Sequence, residues 1–385
     1  MDPGRAALLH RIAERYSTPT YVYDLDAIGD RVARLRAALP TAELLYAVKA
    51  NPCGAVLRHL AAAGLGAEVI SVGELARARR AGFPEGRILL GGPRQDPPLV
   101  AAAWGVGWVS LDNPSQWRGW QRFAAREGAP RFLLRLNPGL DPRTHEHLAT
   151  GAARSKFGMP FGELAALGAA LGEHLAGFHV HIGSQITELG AYEPVFAQLG
   201  ALLTRFPHAD TLDLGGGFAV PGFALPEFSA RVRAFLAQVP FRRLLLEPGR
   251  FLVAESGVLL TRVLHVKEGP VRHVIADAGM ADLLRPALYG AQHPVRVLGA
   301  ADGASGSADL DGPLCENADR LARGVALPAL TPGTLLAVEQ AGAYGFAMAS
   351  NYASSLRPAE VVVAGGEVRL ARRRETPDDL VQLEL

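Results

Sequence analysis

The stretch LLYAVKANPCGAVLRHLAAAGLGAEVIS (44–71) contains the fold in miniature. LLYAVKA (44–50) is a short apolar run suited to a strand buried on both faces, GAVLRHLAAAG has helical spacing, and AEVIS (67–71) is a second apolar run. A strand, a helix and a strand joined by short connections form the unit of a parallel sheet. The pattern continues through RILLGG (87–92), WVSLD (108–112), RFLLRLN (131–137), GFHVHIG (177–183), TLDLGGG (211–217) and RLLLEPG (243–249), with helical segments such as GELARARRAG and PEFSARVRAFLAQ between them. Eight strands in about 200 residues predict an α/β fold of the (β/α)8 TIM-like barrel type, with a doubly wound open sheet as the alternative. The connection from Asn137 to Pro160 is longer than a usual βα loop and suggests a functional excursion at one barrel face.

Past Arg250 the period falls to two: GVLLTRVLHVKEG, RHVIADAG, PVRVLG, GTLLAVEQAG and AEVVVAGGEVRL alternate as half-buried strands do. The sequence therefore predicts two domains. Residues 20–254 form the barrel, and residues 1–19 and 255–385 form a separate β domain, a sandwich or barrel. Gly and Pro are scattered as turn punctuation, and no internal repeat is evident.

The composition excludes several functions. With 39 basic and 38 acidic side chains no strong field points to nucleic acid or to an anionic membrane, so a small-molecule ligand is expected. Cys53 and Cys315 cannot build a disulfide framework, and no Cys or His spacing resembles a metal site. The opening MDPGRAALLHRIAERY lacks an apolar signal core, and LVAAAWGVGWVSL (99–111) is too short to span a bilayer, so a soluble, cytoplasmic protein is expected.

In a barrel the reacting groups gather where strands end, and phosphate is usually held after strands seven and eight. The first strand ends in Lys49, the second in Ser71, the sixth in His181 followed by Gly183 and Ser184, the seventh in Gly215, Gly216 and Gly217, and the eighth in Glu247, Gly249 and Arg250. A lysine at the end of a buried strand is either an ion-pair partner or a Schiff-base amine. Three glycines let backbone N–H groups approach a phosphate, although a plain turn has the same sequence; Arg250 and Ser184 add a fixed charge and a hydroxyl. Glu247 suits the protonated ring nitrogen of pyridoxal phosphate, or else a salt bridge with Arg250. His181 is placed to stack on such a ring, whereas His179 is read as structural, on the other side of the strand.

With these residues in hand, the chain resembles the diaminopimelate decarboxylases, fold type III pyridoxal-phosphate enzymes related to ornithine decarboxylase and alanine racemase. The resemblance rests on TPTYVYDLDAI (18–28), YAVKAN (46–51), RLNPGLDPRTHEHLATGAARSKFG (135–158), HVHIGSQ (179–185), LDLGGGF (212–218), EPGR (247–250), ADAGMADLLRPALYG (276–290), PLCENAD (313–319) and AGAYGFAMASNY (341–352). It implies a cofactor joined to Lys49, His181 against its ring, Glu247 at its nitrogen, and Ser184, Gly216, Gly217, Gly249, Arg250 and Tyr344 around its phosphate. It implies that Arg250, Arg285, Tyr289 and Tyr344 meet the substrate, with Arg250, Arg285 and Tyr289 on its distal carboxylate and Glu316 on its distal ammonium group. It further implies a homodimer with a shared active site, Cys315 and Glu316 coming from the partner subunit, and meso-diaminopimelate as the amino acid decarboxylated to L-lysine. Cys315 matches the family's proton donor, and Lys49 is the other candidate.

The chain departs from the family in three places, the third being a short loop after GGGF. CENAD stands where CESGD is usual, placing Asn317 and Ala318 beside Glu316, and GGPRQDPP (91–98) replaces a polar loop. A decarboxylase of a related amino acid is therefore the second reading. A racemase would need a base opposite Lys49, and a non-catalytic relative would have little use for Lys49, Glu247 and Cys315 together.

Overall fold

The computed structural model describes residues 2–140, 155–299 and 306–385, so part of the expected long excursion, 141–154, lies outside the described residues. The chain divides into two compact units, Gly29–Leu252 and a second made of Met1–Ile28 with Val253–Leu385.

In chain order the first strands are β1 (Thr20–Asp24), β2 (Ala42–Ala47), β3 (Gly66–Val69), β4 (Ile88–Leu90), β5 (Trp108–Leu111), β6 (Arg131–Leu136), β7 (Leu175–Val180), β8 (Thr211–Asp213) and β9 (Arg243–Leu246). Strands β2 to β9 pair in sequential order, all parallel, and β9 closes on β2 with Leu244 opposite Ala42. This is the closed eight-stranded barrel expected from the alternating pattern. Leu45, Leu89, Trp108, Leu133 and Leu245, from five strands around the ring, form one fully buried cluster. Among the described residues, seven α-helices beginning with Gly54–Ala62 lie in the connections. Their starts are fixed locally: Ser71 accepts the Glu74 N–H at 3.1 Å, and Asp96 accepts that of Leu99 at 3.1 Å.

The barrel strands stop earlier than their apolar runs do. The end of LLYAVKA folds into a single 3-10 turn, Val48–Ala50, and TLDLGGG pairs over only three residues before its glycines leave the sheet. Lys49, His181 and Glu247 therefore stand just beyond the last paired residues.

The second unit adds β10 (Gly257–Lys267), β11 (His273–Ala276), β12 (Val295–Leu298), β13 (Gly306–Asp311), β14 (Arg320–Leu327), β15 (Leu335–Val338), β16 (Ala359–Ala364) and β17 (Glu367–Arg372). With β1 they form one nine-stranded mixed sheet, whose core includes Leu9, Ile12, Val22, Leu260, Leu335 and Val361. Two features differ from the sequence reading. Thr20–Asp24, expected at the start of the barrel, lies antiparallel to β10 and parallel to β16, because TYVYD is as apolar as a barrel strand and only its pairing separates the two. Strands β13 and β14 were not expected, since GSADLD and RLARGVAL carry Gly, Asp and Arg, and bulges interrupt their pairing.

Candidate active site

Lys49 sits on the 3-10 turn after β2, where the Tyr46 hydroxyl donates to the Asn51 carbonyl at 3.1 Å and Asn51 Oδ1 accepts the Cys53 N–H at 3.0 Å. These bonds hold the turn. Gly249 brings the end of β9 against it, since a Cβ there would lie 3.0 Å from that of Ala50 and 3.1 Å from that of Ala47. Lys49 Nζ pairs with Glu68 of β3, a side chain only 4% exposed against 37% for the lysine. The other two lysines of the sequence, Lys156 and Lys267, are exposed.

Asp213 ends β8, and its Oδ1 accepts the Gly215 N–H at 2.8 Å. At Gly217, φ is +90° and a Cβ would come within 2.0 Å of the Gly183 carbonyl oxygen; at Gly216 it would come within 2.3 Å of that of Glu247. Only bare backbone fits there. The Gly216 N–H donates to His181 Nδ1 at 3.2 Å, so the proton of the neutral ring is on Nε2. Burial first, then the charges of Arg135 and Lys49, lower the His181 pKa to about 3, which keeps the imidazole neutral. Arg250 Nη2 lies 3.4 Å from Ser184 Oγ.

Glu247 is buried, and among the described residues its Oε1 has no hydrogen-bond partner. Asp213 and His179 place an oxygen and a nitrogen in the same cluster, with the three groups' atoms within 4.8 Å of one another. Burial raises the Glu247 pKa well above the carboxylate range, and repulsion from Asp213 and Glu68 raises it further. Burial likewise raises that of Asp213 to about 7, against the pull of the Gly215 amide and the hydrogen bond shared with Glu247. Among the described residues Glu247 Oε1, Asp213 Oδ2 and His179 Nε2 have no hydrogen-bond partner, so the site suits a cation with a proton to give, which would draw the buried carboxyl back to its charged form.

His179 is corrected by the structure. Residues two apart on a strand share a face, and His179 Nδ1 reaches Ser110 Oγ of β5 at 2.7 Å across the barrel, while Nε2 is 3.7 Å from Glu247 Oε1. Sequence reasoning also missed Glu68 and Asp213, although an acid inside the apolar runs GAEV and TLD was a readable signal for both.

The remaining expected site residues belong to the mixed-sheet unit. Arg285 begins the short helix Arg285–Tyr289 and is 9% exposed. Its Nη1 donates to His293 Nε2 at 3.0 Å, and His293 Nδ1 donates to the Glu339 carbonyl at 3.0 Å, which fixes the tautomer and the guanidinium together. His293 was not foreseen. Tyr289 is half-buried, as is Tyr344, which adopts φ +57°. Cys315 and Glu316 stand exposed on the loop between β13 and β14, and Glu316 Oε2 accepts the Tyr352 hydroxyl at 2.8 Å.

A barrel whose strand ends present a lysine, a glycine loop with arginine, and a buried donor-poor acid is the arrangement of a pyridoxal-phosphate enzyme. A sequence model of the pyridoxal-dependent decarboxylases, covering their pyridoxal binding domain, matches residues 25–254. The diaminopimelate decarboxylase of Deinococcus radiodurans is 40% identical over 98% of both chains. That of Actinosynnema pretiosum subsp. auranticum is 41% identical over 97% of this chain and 90% of its own. The solved diaminopimelate decarboxylase of Helicobacter pylori, complexed with L-lysine, superposes with a TM-score of 0.90 at 30% identity, covering 98% of this chain and 99% of the other. The chain belongs to the diaminopimelate decarboxylases, carboxy-lyases whose cofactor is pyridoxal phosphate.

Proposed function

We propose that the protein decarboxylates meso-diaminopimelate at its D-centre to L-lysine and CO2, as a cytoplasmic homodimer whose subunits share each active site. The observation that carries this reading is the joint presence of Lys49, the glycine loop and the unpartnered Glu247 Oε1 at the ends of β2, β8 and β9. The near-full-length likeness to diaminopimelate decarboxylases supports the substrate.

Pyridoxal phosphate, when bound, supplies the electron sink into which the bond to the departing carboxylate empties. The chain's residues then have separate tasks. Lys49 Nζ is the attachment amine, and Glu68 orients it. Gly216 and Gly217, with Ser184, Gly249, Arg250 and Tyr344, would hold the phosphate through backbone N–H groups, hydroxyls and one fixed charge. Glu247 would accept a hydrogen bond from the protonated ring nitrogen, which favours the ionised form of the buried carboxyl; His181, kept neutral, would lie against the ring without competing for that charge. Arg250, Arg285, Tyr289 and Tyr344 would bind the substrate, the arginines meeting its distal carboxylate, while Glu316 would meet its distal ammonium group. Cys315 Sγ or Lys49 Nζ would return a proton to the carbon that has lost CO2.

Among the described residues no helix is long and apolar enough to cross a membrane. The deciding experiment offers the purified protein and pyridoxal phosphate a panel of amino acids and follows CO2 and product chirality. CO2 and L-lysine from meso-diaminopimelate are expected. CO2 from another amino acid alone would overturn the substrate, with Asn317 and Ala318 beside Glu316 as the first residues to revert.

A further inference from the structure

The loop that presents Cys315 and Glu316 is closed by one side chain. Asp319 is 3% exposed although the residues 315–318 before it are all exposed. Its Oδ2 accepts the Leu314 N–H at 2.6 Å and its Oδ1 accepts the Met280 N–H at 2.5 Å. Its backbone closes the same loop, the Gly312 N–H donating to the Asp319 carbonyl at 2.8 Å and the Asp319 N–H to the Glu316 carbonyl at 3.0 Å. Two glycines make room for the carboxylate: a Cβ on Gly279 or on Gly312 would lie 2.2 Å from Asp319 Oδ1.

The carboxylate therefore ties together two segments distant in sequence. One is the loop carrying Cys315 and Glu316. The other is GMADLLR (279–285), which leads into Arg285 and is itself anchored where Asp282 Oδ2 accepts the Gly279 N–H at 2.9 Å and the Tyr21 hydroxyl donates to the Asp282 carbonyl at 2.8 Å. Aspartate alone suits the place: asparagine would turn an N–H2 toward an amide N–H, and glutamate would push its longer stem into the two glycines.

We propose that Asp319 is the positioning residue of the active-site loop, fixing Cys315 and Glu316 for the site they complete by tying the loop to the backbone of the segment that leads into Arg285. The roles of Cys315, Glu316 and Arg285 rest on the decarboxylase reading above; the two bonds from Asp319 do not. A carboxylate that holds a loop by two backbone amides acts on rate through geometry, and a displacement of about 1 Å can slow a reaction on the order of 100-fold.

The test compares Asp319→Asn with wild type, as holoenzymes, in two backgrounds and by two readouts. In the native background kcat should fall roughly 10- to 100-fold while the cofactor absorbance stays unchanged. In a Cys315→Ala/Glu316→Gln background, where the groups the loop presents are already gone, the same substitution should change residual turnover by less than about threefold, because effects through a shared partner do not add. An equal loss in both backgrounds, or none in either, overturns the proposal. Amide hydrogen exchange is the second readout: peptides covering Met280 and Leu314 should both exchange faster in Asp319→Asn. If wild type does not turn over diaminopimelate, the decarboxylase reading fails and exchange alone decides, with unchanged protection at both peptides refuting the role of Asp319. Should Asp319→Asn fail to fold, Gly312→Ala, which sets a methyl group against the same carboxylate, takes its place with the same expected outcomes.

Discussion

Replacing Lys49 with methionine in the apoprotein strands a buried acid, and the size of the damage can be worked out. Glu68 is 3% exposed and pairs with Lys49 Nζ. Removing one partner of a buried pair costs about 3–5 kcal/mol, because the remaining charge has neither water nor counterion. The Lys49 side chain is 37% exposed, so solvent already screens part of the attraction and the expected loss falls to about 1–3 kcal/mol. For a unit the size of Gly29–Leu252 this corresponds to a fall in melting temperature of roughly 2–12 °C. The assay is thermal or urea unfolding of the apoprotein at pH 7, comparing Lys49→Met with Lys49→Met/Glu68→Gln. The double variant should recover more than half of the loss, since the neutral amide needs no cation. If the single variant unfolds at the wild-type temperature, the pair is not what holds Glu68 in place. If the double variant is no better than the single, the loss came from packing around methionine and the electrostatic account is wrong.

Three further outcomes follow from the same geometry. Gly217→Ala puts a methyl group where φ is +90° and the Gly183 carbonyl is 2.0 Å away, so the apoprotein should lose about 2–4 kcal/mol and cofactor affinity should fall at least about tenfold, checked by urea unfolding and by fluorescence titration with pyridoxal phosphate. His293→Leu removes the ring that fixes the Arg285 guanidinium, so KM for the diacid should rise about 10-fold or more with cofactor absorbance unchanged; an unaltered KM in steady-state assays would free Arg285 from that dependence. Asp282→Asn tests a buried acid whose pKa is raised to about 7 by burial first and by Asp277 and Asp319, against the Gly279 amide and Arg374. The unfolded group ionises near 3.9, so between about pH 4 and 7 only the unfolded chain loses its proton; wild-type stability should therefore fall across that window, on the order of 1–4 kcal/mol relative to the variant, and the difference should level off above it in pH-dependent urea unfolding.

The barrel was legible because its parallel strands are buried on both faces and read as bare apolar runs such as RFLLRL and RLLL. The same rule blurred its edge, since TYVYD satisfies it equally and only pairing with β10 and β16 assigns that strand to the mixed sheet. Strands β13 and β14 escaped notice because their partners in the sheet, more than their own propensities, make them strands. At the site, residues that leave the strands were readable from chain position: Lys49, His181, the glycine loop, Glu247 and Arg250. The supporting groups were signalled only as polar residues inside apolar runs, without their partners. Glu68, Asp213 and His179 sit within strands buried on both faces, where a polar residue signals a buried contact but not its partner, and His293 acquires meaning only through its 3.0 Å contact with Arg285.

Of the three lysines in the sequence, Lys49 is proposed to carry the cofactor. Borohydride reduction of the holoenzyme, followed by proteolysis and mass spectrometry, reads the attachment site directly. The reduced pyridoxyl group is expected on the peptide containing Lys49 and on no other, with Lys49→Met abolishing it. Label on Lys156 or Lys267, or label persisting in Lys49→Met, would contradict it.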